Sequence, residues 1–108
     1  MASTFKSTVA KDIGTSAVTV YTTPAATQTT VIGLSVCNVS GISVNVDVTF
    51  VKGATTVFLA KGIPVPVGGT LVLVGGDQKI VAEAGNQIRV TSSAATSIDA
   101  VCSILEIT

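Results

Sequence analysis

Apolar and polar residues alternate along much of this chain, and the alternation is clearest over residues 42–51. A β-strand points successive side chains to opposite faces, so this period predicts a strand with one buried and one solvated face. Four of the residues on the apolar parity are β-branched, which suits a packed, pleated surface. That parity comprises Ile42, Val44, Val46, Val48 and Phe50.

Turn-forming residues divide the remaining sequence into further short strands. Segment 69–74 is apolar on both parities and is predicted to be buried on both faces, whereas Pro64 and Pro66 confine residues 63–66 to a connection or an edge strand. The pattern predicts an all-β fold, a single antiparallel β-sandwich of jelly-roll or immunoglobulin-like type with about eight or nine strands. The other predicted strands are residues 17–22, 29–38, 55–61, 78–82, 87–91 and 98–107.

The first 15 residues lack this alternation of apolar and polar side chains. Phe5, Val9 and Ile13 stand far apart among polar residues, so residues 1–15 are predicted to form an N-terminal arm and residues 16–108 the β-sandwich domain. Extended arms commonly add a strand to the exposed edge of a neighbour. We expect Phe5, Val9 and Ile13 to contact a partner, with Phe5 as the main anchor. A disordered tail and a strand of the chain's own domain are the two alternatives.

Charge is scarce in this chain. Charged residues make up 11% of it, against roughly 25% in ordinary domains, and the mean hydropathy is +0.71. This composition predicts a surface covered in part by other subunits. The net charge is zero and the six basic residues are scattered, so neither nucleic acid nor an anionic membrane is an expected partner. No signal peptide or apolar span is recognisable, which predicts synthesis in a cytoplasm.

The sequence contains no histidine, which is the commonest general base and metal ligand. We therefore expect no enzyme activity, no catalytic or metal site and no cofactor. A calcium site from Asp77 and Glu83 would lack the dense oxygen ligands of a calcium loop. Cys37 and Cys102 are predicted to be buried, reduced thiols, with a cross-strand disulfide as the alternative.

Several short motifs, in order, resemble small β-sandwich virion proteins of tailed bacteriophages, whose pattern reads roughly Y-x-x-P-A … T-V-I-x-L-x-V-x-N. Here the corresponding runs are YTTPA at 21–25, TVIGL at 30–34 and CNVS at 37–40. The later run IPVPVGGTL at 63–71 is similar to the segment containing proline and glycine that leads into a strand in that family. The run DQKIVAEAGNQI at 77–88 is similar to its K-I-x-L-x-A-G-D-x-I hairpin, with Ala82 and Asn86 replacing the usual Leu and Asp.

The resemblance implies a non-enzymatic structural subunit of a virion, with a capsid decoration or cement protein as the first expectation. It implies partners that include the chain itself, with a trimer favoured, and other virion proteins such as the major capsid protein. The alternatives are a neck, tail or baseplate subunit, or a tail-tip module that binds a host glycan or receptor. Aromatic residues total 4% of the chain, which argues against a glycan-binding platform.

Overall fold

The computed structural model describes residues 2–75 and 79–108, and in those ranges it contains nine β-strands and no helix. No helix in the described part of the chain could therefore span a membrane. Asp77, considered above as a calcium ligand, lies outside the described residues. The strands are β1 (Ser3–Ile13), β2 (Val18–Thr22), β3 (Gln28–Asn38), β4 (Val44–Lys52), β5 (Thr55–Val65), β6 (Thr70–Val74), β7 (Ile80–Ala82), β8 (Gln87–Ser92) and β9 (Ile98–Ile107).

The strands form two antiparallel sheets that pack face to face, which confirms the predicted β-sandwich. Sheet A has the order β1-β9-β3-β6, with β7 also paired to β3, and sheet B has the order β2-β8-β4-β5. Most connections cross between the sheets, and β4–β5 is the hairpin within one sheet. This is the order of a jelly roll, with β6 and β7 sharing one position, rather than that of an immunoglobulin domain.

Valine and isoleucine side chains from the inner faces of both sheets fill the core. The alternation in β4 is confirmed at Val44, Val46 and Val48, which are at most 2% exposed. Ile42 precedes β4 and is 59% exposed, so the buried parity begins two residues later than the pattern indicates. Strand β5 continues through Pro64 as the outer strand of sheet B, a position where sheets tolerate proline.

The N-terminal residues belong to the sandwich in this structure, which corrects the expectation of a separate arm over residues 1–15. Residues 3–10 of β1 pair continuously with β9, and the ladder continues where Ala2 and Thr108 exchange two backbone hydrogen bonds of 3.0 and 2.9 Å. Strand β1 is therefore the edge strand of sheet A. The last residue of β1 is buried in the core of the chain's own domain.

That residue is Ile13, and its predicted role as a partner contact is wrong. Between the pairs Ala10↔Ala100 and Ile13↔Ile98, β1 advances three residues while β9 advances two. The extra residue is a β-bulge, and Asp12 within it adopts a left-handed backbone with φ of 57°. Because one inserted residue reverses the facing of all that follow, Ile13 points inward and is 0% exposed.

Candidate functional site

The outer face of sheet A carries the largest group of exposed apolar side chains that lie on one sheet. Phe5 and Val9 on β1 are 75% and 73% exposed, and Val72 and Val81 on the opposite side of the sheet are 64% and 65% exposed. Val101 on β9 lies between them and is 44% exposed. We call this surface the apolar face, and with the half-buried Leu105 it comprises Phe5, Val9, Val72, Val81, Val101 and Leu105.

Strand register arranges the apolar face in three rows that cross the sheet. The first row is Phe5–Leu105–Thr30–Val81, and the third is Val9–Val101–Ser35–Val72. The middle row is Ser7–Ser103–Gly33, and a β-bulge between Val31 and Gly33 inserts the half-buried Ile32 next to it on β3. On β1 and β9, two serines therefore separate the row that contains Phe5 from the row that contains Val9.

The outer face of sheet B is different in character. Its central positions on β4 and β8 are polar or charged, and pairing places Asp47 beside Thr91 and Thr49 beside Arg89. The Asp47 carboxylate also accepts a hydrogen bond of 2.6 Å from the Gly62 N–H. By contrast, the three rows of the apolar face hold no ionisable side chain. One face of the sandwich is thus ordinary solvated surface, and the other lacks the charge that solvated surfaces carry.

The structure therefore brings together two of the three residues predicted to contact a partner. Phe5 and Val9 lie four positions apart on the outward side of β1, while Ile13 is separated from them by the bulge. The sequence reasoning missed Val72 because segment 69–74 was predicted to be buried on both faces. A usable signal was present in β9, where Val101 and Leu105 lie on the parity opposite to the buried Ile98 and Ile104.

A second cluster joins the two sheets at one end of the sandwich. The Tyr21 hydroxyl on β2 donates to Glu106 Oε2 on β9 at 2.6 Å and lies 2.8 Å from Thr29 Oγ1 on β3. Lys6 Nζ on β1 contacts Glu106 Oε1 at 2.8 Å. Tyr21 faces inward because a register shift between Thr19 and Tyr21 interrupts the alternation of β2. The cluster fastens edge strand β1 to the body of the domain.

Electrostatics within this cluster keep Glu106 ionised and Tyr21 protonated. Hydrogen bonds from Lys6 and Tyr21 lower the pKa of the Glu106 carboxyl below its usual value. Burial, followed by the hydrogen bond to Glu106, raises the pKa of Tyr21 to about 12. Near neutral pH the carboxylate and the phenol each stay in one protonation state. The arrangement is therefore suited to holding strands together rather than to transferring protons.

We predict that the Glu106 cluster makes stability depend on acid pH. Because its pKa is lowered by folding, Glu106 stabilises the fold above its ordinary pKa, and that contribution is lost as the pH falls through the folded value. Glu106→Gln is expected to lower the free energy of unfolding at pH 7 by about 1–3 kcal/mol. Urea denaturation at pH 7 and at pH 3 should show the variant approaching the wild type at low pH.

Glu83→Gln is the matched control for this prediction. Glu83 pairs with Lys52 at 2.7 Å, but both side chains are more than half exposed, and exposed pairs contribute little. Its substitution should leave the urea midpoint nearly unchanged at both pH values. A Glu106→Gln protein as stable as the wild type at pH 7 would contradict a structural role for the cluster.

The remaining polar groups form no reactive centre among the described residues. Both cysteines are free: Cys102 points into the core, where burial raises its pKa to about 11, while Cys37 is half-buried on the outer face of sheet A. No three His, Cys, Asp or Glu side chains in residues 2–75 and 79–108 come together as a metal site would require. A shallow depression of about 630 Å³ near Gln28 and Ile107 contains Glu83, whose carboxylate is held by Lys52.

Comparison with known proteins defines the fold and leaves the family open. No protein-family model and no curated protein matches this chain. A solved structure from the study describing Bacillus endospore appendages as a novel family of disulfide-linked pili is similar to it, with a TM-score of 0.53 and 14% sequence identity. The similarity covers 98% of this chain and 88% of that chain. At this identity the likeness concerns the β-sandwich alone, and the resemblance to bacteriophage virion proteins stays a prediction.

Proposed function

We propose that this chain is a non-enzymatic structural subunit that assembles with copies of itself and with other proteins of a larger particle. The observation that carries the proposal is the apolar face. Exposed apolar patches of this kind are typical of surfaces that bind other proteins, and a monomer in solution would gain nothing from leaving charge off the centre of one sheet face. The absence of histidine from the sequence supports a role without catalysis.

The particle we favour is a tailed-bacteriophage virion, with the chain as a capsid decoration or cement protein. The support for this part is the ordered set of motifs that resembles virion sandwiches. The endospore appendage structure supports the coarser part, because a sandwich of similar shape occurs there in a pilus. The virion resemblance favours three copies around a threefold position, in contact with the major capsid protein.

Light scattering on the purified protein tests self-assembly. At micromolar concentration we expect a mass that is a multiple of 10.8 kDa, because burial of the apolar face favours association. A mass that stays at one subunit over a hundredfold rise in concentration would contradict self-assembly. Mass spectrometry and immunogold labelling of purified particles test the location. Labelling on the head supports decoration, labelling on the neck or tail supports the alternative site, and absence from particles contradicts both.

A further inference from the structure

The apolar face has features that point to one kind of occupant, a second copy of the same chain. We infer that two copies pack the outer faces of their A sheets against each other around a twofold axis. This inference rests on the proposed function, because it names the partner of that same surface, and it replaces the threefold arrangement that the virion resemblance favours with a twofold one. A twofold contact uses one patch on both subunits, so the patch must be complementary to itself in charge, area and shape.

Charge satisfies this requirement. The three rows contain no ionisable side chain, so two copies can meet with no like charges opposed and no ion left desolvated. The nearest carboxylate on this side of the sheet is Asp99 at the end of β9, and it accepts a hydrogen bond of 3.0 Å from the Asp12 N–H. A charged partner surface would find no counter-charge on this face, whereas an identical surface needs none.

Area satisfies it as well. Strand β1 has 11 residues, and the sheet has four strand positions across its width. At the usual rise and spacing of strands, the whole outer face of sheet A measures about 36 Å by about 19 Å, or about 700 Å², and the apolar face occupies its middle. Stable protein interfaces bury roughly 800 Å² on each partner. The outer face is thus close to the size that a stable pair needs, with the apolar face as the interface core and the polar ends of the strands as its rim.

Shape is compatible with such a pair. Ser7 and Ser103 lie between the rows that contain Phe5 and Val9, so each copy offers large side chains beside a shallow position lined by two serines. Gly33 has no positive φ that would require glycine. A Cβ built there meets only ordinary contacts, at 3.7 Å to the Val74 carbonyl oxygen and 4.0 Å to Ser103 Cβ. A glycine here is typical of the β-bulge that interrupts β3 between Val31 and Gly33, and its small size also leaves the centre of the face open to close approach by another copy.

Ser103 lies at the centre of the apolar face, so in a twofold pair it faces the Ser103 of the other copy. Ser103→Asp and Ser103→Lys should each weaken self-association by at least about tenfold, because each homopair opposes like charges. An equimolar mixture of the two variants should restore association, because the mixed pair opposes unlike charges. Sedimentation velocity in reducing buffer measures this without interference from Cys37. Restoration also shows that both variants are folded.

Gly33→Leu adds bulk at the centre of the apolar face and should weaken association by a similar factor, with a melting temperature close to that of the wild type. Gly41→Leu is the matched control, because Gly41 lies in the β3–β4 connection with nothing within 4 Å of a built Cβ. Thr49→Asp and Thr91→Lys are the charge controls on the outer face of sheet B, beside Arg89 and Asp47 respectively. The three controls should associate as the wild type does.

The wild-type mass separates this inference from the proposed function. A species of twice 10.8 kDa that responds to the Ser103 and Gly33 variants supports the pair. A trimer, or an assembly unaffected by those variants, overturns the face-to-face pair but leaves a self-assembling subunit. A mixture of Ser103→Asp and Ser103→Lys that fails to associate, while each variant melts as the wild type does, also overturns it. A wild type that stays monomeric overturns both.

Discussion

Deletion of residues 2–13 is expected to destroy the cooperative fold rather than merely remove a docking arm. The deletion takes away the whole of β1, so the backbone groups of β9 that pair with residues 3–10 lose their partners. It also removes Lys6 from Glu106 and leaves a cavity in the core at the site of Ile13. Domains of this size are stable by only about 5–15 kcal/mol, so the combined loss is comparable with the total.

Circular dichroism during heating measures this outcome, and the melting temperature should fall by at least about 20 °C, if any transition remains. A synthetic peptide of residues 1–15 added in trans provides the control. It should restore the transition by pairing with β9, whereas a peptide with the same residues in scrambled order should not. If the shortened protein melts within a few degrees of the full chain, β1 contributes little to the fold. That result would support the interpretation of residues 1–15 as an independent arm.

The period-2 pattern was sufficient to predict the fold class because alternation persists over several residues on either side of the bulges and register shifts that interrupt β1, β2, β3, β5 and β6. Alternation in β4 identifies its buried residues directly, and the turn residues between strands locate the strand ends to within a few positions. Topology is a different matter. Alternation shows which face of a strand is buried, but it contains no information on which strand lies alongside, so jelly-roll and immunoglobulin-like orders could not be separated.

The errors about individual residues arise from bulges. The equal spacing of Phe5, Val9 and Ile13 places them on one face of a regular strand, and the extra residue near Asp12 moves Ile13 to the other. The same kind of irregularity at Val20 turns Tyr21 toward Glu106. A bulge is a local irregularity of the backbone with a weak sequence signature. It nevertheless reverses the sheet face on which each later side chain of the strand lies.

The candidate site was only partly predictable for a related reason. The scarcity of charge indicated that some surface is covered, and Phe5 and Val9 were predicted as part of it. The apolar face, however, is assembled from strands distant in sequence, and the rows that join Phe5 to Val81 exist only after β9 and β3 pair between them. Recognition of the small residues at the centre of this face likewise requires that Ser7, Ser103 and Gly33 be known to be neighbours.

A matched pair of substitutions on β1 separates the residue that serves the fold from the residue that serves assembly. Ile13→Ala is expected to lower the free energy of unfolding by about 2–5 kcal/mol, because it removes fully buried methyl groups and leaves a cavity. The melting temperature should fall by roughly 10 °C or more. Phe5→Ala should leave the melting temperature of the monomer nearly unchanged, because that ring is 75% exposed.

Association should show the opposite ranking. Phe5→Ala removes the largest apolar side chain of the apolar face and should weaken self-association by about tenfold or more, since buried aromatic anchors dominate interface energies. Ile13→Ala should associate as the wild type does at temperatures where it is folded. Sedimentation and thermal melting on the same samples give both readouts. Equal loss of stability in the two variants would mean that Phe5 packs within its own domain, and unchanged association in Phe5→Ala would remove it from the contact surface.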